Sequence, residues 1–367
     1  MKLRTISIIE PIGGHGGMDY YDYGLAYGLG QDNSKVYYFT SNKTKIRAFK
    51  NVVVIPIFGN LWEAKGIKRG ILFLKGYFNA FLNSKKLKTD IFHFHFFSLG
   101  PLNLMVLLIA FFFKQKKVVT LHDVSPFHGS ANGIIERFCF RLIDGLIVHN
   151  KTSKEELVTK QITLPNIHII PHGNYSPFVN EMPLPKQNEI IKLLFFGQIK
   201  EVKGLDVLLK AMGKVVQKSN KFHLTIAGRP WKTGTEKYEA LIDDLALKSF
   251  VNCQFDYIKD NEVESLYNNA DVVILPYRKI YQSGVLLLSL SYGRTVITSD
   301  LPPFKEIITH NETGCIFSSE NVDELAECIL KLDREMIERL TQNSKELIKE
   351  YDWSEIGRKT KVYYGSL

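Results

Sequence analysis

"KLLFFGQIKEVKGLDVLLKAMGKVVQ", Lys192 to Gln217, carries three signals in succession. Lys192–Phe196 is an apolar run of strand length, a polar loop bounded by Gly197 and Gly204 follows, and from Leu205 the apolar residues recur at helical spacing. A strand turning through a glycine loop into a helix is the repeating unit of a parallel α/β sheet. Such a loop places backbone amides and the lysines Lys200 and Lys203 near a helix N-terminus, where a phosphate is received at the carboxyl edge of the sheet. It lacks the Gly-x-x-x-x-Gly-Lys-Ser/Thr spacing of a Walker loop, and an ordinary β-to-α turn with surface lysines would read the same way.

Outward from this stretch the alternation extends in both directions. Ahead of it, strand-like runs fall at Thr5–Ile9, Lys35–Thr40, Val52–Ile55, Asp90–Phe94, Lys117–Leu121, Gly145–Val148 and Ile167–Ile170. Behind it they fall at Lys221–Ala227, Asn252–Phe255, Asp271–Leu275, Thr295–Thr298 and Gly314–Phe317, with helices between. Glu181–Asn188 is polar, proline-bearing and aperiodic, and reads as a linker. The expectation is two Rossmann-like α/β domains, residues 1–180 and 181–350, and a closing helix over 351–367 that packs back on the first domain. A chain of 367 residues exceeds what one hydrophobic core usually serves, which agrees.

Four cysteines without a CxxC pair give neither a disulfide framework nor a metal-ligand spacing, and fit a reducing cytoplasm. The N-terminus runs straight into a strand, so no signal peptide is expected. Leu99–Phe113, the longest apolar run, falls short of a bilayer span and reads as a buried or membrane-grazing helix. The net charge of +9 is lopsided: residues 1–180 hold 22 Lys and Arg against 11 Asp and Glu. A basic first half suits an anionic surface, of lipid or nucleic acid, although no aromatic-interleaved basic motif supports the latter.

Three further stretches carry chemistry. In "PYRKIYQSGVLLLSLSYG", Pro276 to Gly293, a Gln-Ser-Gly turn opens a helix too apolar to be anything but buried. Its first-turn N–H groups need a partner, either a pyrophosphate or the Ser283 side chain as N-cap. A glycine beside the cap favours close approach by a ligand. Gly13-Gly-His-Gly-Gly17 follows the first strand and reads as a ligand loop or a tight turn. His93, His95, His122 and Asp123 end two neighbouring strands, where histidines contact substrate more readily than they hold a metal, and His122-Asp123 is the pair expected at the active site.

Taken in order, these stretches resemble the GT-B fold glycosyltransferases of family 4, which are retaining enzymes that use nucleotide-activated sugars. The likeness covers nearly the whole chain: Gly16-Gly17-Met-Asp-Tyr-Tyr21, Asp90-Ile-x-His-x-His95, Thr120-Leu-His-Asp123, Ile170-Pro-His-Gly-Asn174, Phe195 to Leu205, Ala270 to Tyr277, Gln282-Ser-Gly-Val285, Gly293 to Asp300 and Glu312-Thr-Gly314. The resemblance implies two parallel sheets facing each other across a cleft, acceptor binding in the first domain and donor binding in the second. By position it assigns the donor to Gly16, Gly17, Gln198, Lys200, Lys203, Ser283, Gly284, Val285, Leu286 and Ser289. It sets His122 and Asp123 at the reaction centre and His15, His93 and His95 on the acceptor side.

The chain departs from the family where two glutamates usually flank this turn. It carries Tyr281 and Ser289 there, as in a Gln-Ser-Gly-Val subset, and Gln198 replaces the usual phosphate-binding arginine, with Lys200 compensating. Ser289 is expected to offer a hydroxyl to the nucleotide ribose. The implied activity is retaining transfer of a hexosyl group from a nucleoside diphosphate sugar to an acceptor hydroxyl in polysaccharide, lipopolysaccharide or glycolipid assembly. No obligatory cofactor, no metal and no nucleic-acid partner are expected. A lipid-linked or oligosaccharide acceptor is, with the protein cytoplasmic and peripheral on the inner membrane face through a basic-apolar stretch over residues 62–75. A nucleotide-sugar epimerase of the same fold and a non-catalytic nucleotide-sugar-binding protein are the rival readings.

Overall fold

The computed structural model describes residues 4–14, 16–59, 61, 63–124, 133–160, 166–180, 189–231 and 234–367. Two compact units divide the chain, Met1–Gly173 with Tyr351–Leu367, and Asn174–Glu350. The boundary comes at Gly173, earlier than residue 180, because the next residues are tied to the second unit. Asn174 Nδ2 donates to the Ile348 carbonyl at 3.0 Å, and the Tyr175 amide donates to the Ser291 hydroxyl at 2.9 Å. The expected linker 181–188 and His15 lie outside the described residues.

In the first unit β1 (Thr5–Ile9) is followed by α1 (Gly16–Gly30), β2 (Lys35–Ser41), β3 (Val52–Phe58), α2 (Gly66–Lys86) and β4 (Ile91–Phe96). Then come α3 (Pro101–Phe111), β5 (Lys116–Leu121), α4 (Gly133–Leu142), β6 (Gly145–Val148), α5 (Lys151–Thr159) and β7 (Asn166–Ile169). The strands form a sheet in the order β3-β2-β1-β4-β5-β6-β7, every pair parallel. β1 and β4 are near-continuous apolar runs because both faces of a parallel sheet are covered. The steps from β3 to β4, β4 to β5 and β5 to β6 all run one way across the sheet. Right-handed crossovers therefore set α2, α3 and α4 on one face, and α1, whose step runs the other way, on the opposite face.

The second unit repeats the scheme with β8 (Ile191–Phe196), α6 (Leu205–Val216), β9 (Phe222–Ala227), α7 (Glu236–Asp244), β10 (Val251–Gln254), α8 (Asp260–Asn268) and β11 (Val272–Leu275). It continues through α9 (Gly284–Ser291), β12 (Thr295–Ser299), α10 (Pro302–Lys305), β13 (Cys315–Phe317), α11 (Val322–Leu330) and α12 (Arg334–Leu347), in the sheet order β10-β9-β8-β11-β12-β13. Leu205, Leu208, Leu209, Met212 and Val215 of α6 are all buried, in one core with Leu224, Ile226, Leu325 and Ile329. Burial of each such side chain contributes about 2 kcal/mol.

The closing helix α13 (Trp353–Gly365) belongs to the first unit and lies on α1 backbone to backbone. A Cβ on Gly28 would stand 1.9 Å from the Trp353 carbonyl oxygen, and one on Gly357 would stand 2.2 Å from the Gly28 backbone. The indole of Trp353, 1% exposed, fills space beside Gly24 and Gly173 that no other residue type would leave open. Farther along α13, Lys361 pairs with Asp32 at 2.6 Å and the Tyr363 hydroxyl accepts the Leu146 amide at 2.8 Å.

Candidate active site

In each unit the strand order reverses beside the first strand, between β1 and β4 and between β8 and β11. Ligands of open α/β sheets sit at the carboxyl ends of the strands at such a switch point. In the second unit the loop after β8 is held there by glycines. Gly197 (φ 104°) lies so close to the next loop that a Cβ on Gly228 would come within 1.9 Å of its carbonyl oxygen. Gly204 (φ 65°) ends a short 3-10 turn, Glu201–Lys203, and a Cβ there would fall 1.9 Å from the Pro276 carbonyl oxygen. Both glycines are needed for positive φ and for contact between loops.

Lys203 is thereby fixed with its ammonium 3.6 Å from the ring centroid of Tyr277, a cation–π contact. Burial, helped by the charge of Lys200, pushes it down to about 7. No carboxylate pairs with it among the described residues. The nearby Arg278 is committed elsewhere. It grips Asp206, at the start of α6, with two bonds of 2.9 and 2.7 Å and reaches Glu320 at 2.7 Å. Lys200 leans on the Trp231 ring at 5.4 Å, and Gln198 is exposed on the same loop.

The Gln282–Val285 turn differs from expectation in three respects. Ser283 is the N-cap of α9, its hydroxyl accepting the Leu286 amide at 3.1 Å, so Leu286 is already engaged and the first-turn amides that remain without a cap bond among the described residues belong to Gly284 and Val285. Glycine at 284 has a reason inside the fold, since a Cβ would sit 2.7 Å from the Tyr175 hydroxyl. Ser289 is fully buried and donates to the Val285 carbonyl at 2.7 Å, within its own helix, so it does not present a hydroxyl to a ribose. A Cβ on Gly197 would be 3.4 Å from the Val285 side chain, which puts the start of α9 against the loop that carries Lys203.

In the first unit the edge of the sheet is lined by histidines from successive strands around one tyrosine. The Tyr21 ring of α1 meets His95, His122, His149, His172 and Trp353 with centroids 4.9 to 5.4 Å apart. His149 Nδ1 lies 2.9 Å from the Ile170 carbonyl, which only accepts, so Nδ1 carries the proton and Nε2 is left as an acceptor. The 3.3 Å contact from His149 Nε2 to His122 Nδ1 is then donated by His122. His122 in turn keeps a lone pair on Nε2. Burial keeps these rings neutral: it lowers His122 well below its ordinary range, His149 to about 3 and His172 to about 4. Phe97 stacks on His122 at 5.1 Å, and Asp123 follows it, half-buried.

His93, expected on the acceptor side, is used by the fold: Nδ1 meets the Tyr364 hydroxyl of α13 at 2.5 Å and Nε2 the Thr120 hydroxyl at 2.7 Å. His95 binds Asp22, whose other oxygen accepts from the Tyr38 hydroxyl at 2.9 Å. Glu10, Asp22 and His95 are close enough to share an ion, and burial pushes both carboxyls well up from their ordinary range. The glycine loop is partly a tight turn. A Cβ on Gly13 would strike Thr44 and Thr40, and the Gly14 amide donates to Asp19 at 2.9 Å. Gly17, at the start of α1 one residue after Gly16, faces open space. In the sequence Tyr21 and His172 stand only inside quoted motifs, without a site role, and His149 is not singled out, although both histidines follow predicted strands as His122 does.

Comparison with known proteins agrees with this layout. The family model Glycosyltransferase Family 4 matches residues 15–173, and Glycosyl transferases group 1 matches residues 191–334. A GDP-mannose:glycolipid 4-beta-D-mannosyltransferase of Xanthomonas campestris is 29% identical over 183 residues, 49% of either chain. A phosphatidyl-myo-inositol mannosyltransferase of Mycolicibacterium smegmatis is 24% identical over 229 residues, 60% of this chain and 57% of that one. The chain thus spans about half the length of the curated relatives it matches. Sucrose-phosphate synthase of Thermosynechococcus elongatus superposes with a TM-score of 0.78 at 17% identity, covering 99% of this chain and 98% of that one. Anabaena HepE in complex with UDP and glucose superposes with 0.72 at 16%, covering 99% and 100%. With both halves matched in tandem and the two-sheet fold in common, the chain belongs to the GT-B glycosyltransferases of the group 1 and family 4 type.

Proposed function

We propose that this protein transfers a sugar from a nucleoside diphosphate sugar to an acceptor hydroxyl, in glycolipid or polysaccharide assembly. The observation that carries this reading is Lys203: a half-buried ammonium without a carboxylate partner among the described residues, held by two glycine turns at the switch point of the second sheet. Such a group needs an anion, and the Gly284 and Val285 amides at the start of α9 are further donors for a diphosphate. In the transition state negative charge grows on the leaving diphosphate, and fixed donors stabilise it without reorganising.

His122 acts on the reacting sugar as a neutral acceptor. Its Nε2 lone pair, fixed through His149 and Ile170, receives a hydrogen bond from a hydroxyl. Transfer proceeds with retention by return of the acceptor to the face the diphosphate leaves, the diphosphate oxygen taking the acceptor's proton. This route needs no protein nucleophile, in keeping with Tyr281 and Ser289 where glutamates are usual. Relatives named for both a 4-beta-mannosyl and an alpha-mannosyl product make the anomeric configuration the quantity to measure.

Thermal stabilisation by UDP, GDP, ADP, CMP and dTDP, on wild type and on Lys203→Met, tests the donor site. Stabilisation by one diphosphate that disappears in the variant is the expected result. Stabilisation that survives Lys203→Met, or none from any of the five, overturns the site. NMR of the product anomeric centre then decides retention.

A further inference from the structure

α2, α3 and α4 lie side by side on one face of the first sheet, and their outward sides are unlike an ordinary solvated surface. On α2, Ile67, Ile71, Phe78 and Leu82 form an exposed stripe at helical spacing, with Ile67 84% exposed. Along α3, only Val106, Leu107 and Ala110 are buried; Leu102, Met105, Leu108 and Phe111 face outward, and Phe112 just beyond is 86% exposed. α4 adds exposed Ile134 and Phe138, the latter beneath the Arg141 guanidinium. Three neighbouring helices thus share one apolar face, far beyond the scattered exposed residues of a monomeric protein.

The exposed charges on its three helices have one sign. Lys65, Lys68, Arg69, Lys75, Lys85, Lys86, Lys114, Arg137 and Arg141 are exposed on or beside these helices. The sequence holds no Asp or Glu from 64 to 89 or from 91 to 122, and Glu136 of α4 is buried against Lys160. An apolar stripe rimmed by cations and free of exposed acids fits an interface of hydrocarbon beneath anionic headgroups. A protein partner of matching chemistry would need a long acidic and apolar face of its own. Among the described residues no helix is long and apolar enough to cross a membrane.

We propose that the outward face of α2, α3 and α4 docks this protein on an anionic phospholipid membrane. The expected stretch 62–75 supplies only the start of that face, and α3 is its centre. The docking face stands on the first unit alone and does not use the donor site, so it and the transferase reading fail separately.

The test is sedimentation of the full chain with vesicles of phosphatidylcholine alone and of phosphatidylcholine with phosphatidylglycerol, with light scattering without lipid. Two double variants are compared, Leu108→Glu/Phe112→Glu and Lys68→Glu/Arg69→Glu, with Lys218→Glu on the second unit as control. All changed side chains are exposed, and circular dichroism identifies any variant that does not fold; the other then decides. Wild type and control should bind the anionic vesicles at least about tenfold more tightly than the neutral ones, and each double variant should lose about tenfold or more. Equal binding to both vesicles, no binding to either, or unchanged variants overturn the proposal. So does a wild-type dimer that Leu108→Glu/Phe112→Glu converts to monomer, which assigns the face to a second copy.

Discussion

Replacing Lys203 by Met should separate anion binding from stability in opposite directions, with a pH dependence that follows from its burial. Without an anion beside it the ammonium is pushed down to about 7, because burial and Lys200 both disfavour the charge. A diphosphate beside it restores the charge and lifts the proton affinity. Donor binding therefore takes up a proton above pH 7, and the dissociation constant grows by a factor of about 2 at pH 7, about 10 at pH 8 and about 100 at pH 9. A nucleoside diphosphate sugar is the proper ligand, since its diphosphate has no proton to lose in that range. Calorimetric titration with UDP-glucose and GDP-mannose from pH 6 to 9, in buffers of differing ionisation enthalpy, gives both the affinity and the protons taken up. Lys203→Met should bind weakly at every pH with no slope. The unliganded fold behaves oppositely. The folded lysine titrates below the unfolded one, so the unfolded chain holds more protons between about pH 7 and 10 and wild-type stability rises through that window. Lys203→Met, free of that charge, should melt higher than wild type at pH 6, and the gap should narrow steadily from pH 7 to 9. A donor affinity independent of pH, or the same slope in the Met variant, refutes the reasoning.

Other outcomes follow from single contacts. Nitrogen-15 NMR of histidine-labelled protein should find His122 protonated at Nδ1, and His149→Phe should abolish that preference and lower donor-sugar hydrolysis about ten- to hundredfold with donor affinity little changed. A kcat loss matched by an equal loss of donor binding would mean that His149 only supports the fold. Glu10→Gln should raise the melting temperature more at pH 8 than at pH 4. The native carboxyl is held protonated by burial, and that advantage is lost as pH rises. Trp353→Ala should cost about 3–5 kcal/mol, read by denaturant unfolding of the first unit, because α1 cannot close on the space the indole leaves. Gly204→Ala combines a positive φ with a clash against Pro276, and should remove nucleoside diphosphate stabilisation while leaving circular dichroism largely intact.

Much of the architecture was written locally. Every strand of both sheets lies within about three residues of an apolar run visible in the chain, since strands buried on both faces must be apolar throughout. The glycine loop before Leu205 was legible for the same reason, a turn needing positive φ next to a helix that needs its first amides satisfied. The fates of individual polar residues were not. His93 and His122 both stand near strand ends, yet one holds Tyr364 of α13, some 271 residues away, and the other joins His149 against the Tyr21 ring. Ser283 and Ser289 differ likewise: the first caps its helix, and the second turns inward to its own backbone. Strand and helix identity depend on neighbours a few residues apart, which the sequence displays. A side chain's partner depends on residues that only the folded chain brings near, and only tertiary structure decided which histidine was drawn to α13, which joined the ring cluster around Tyr21 and which face of α3 was left uncovered.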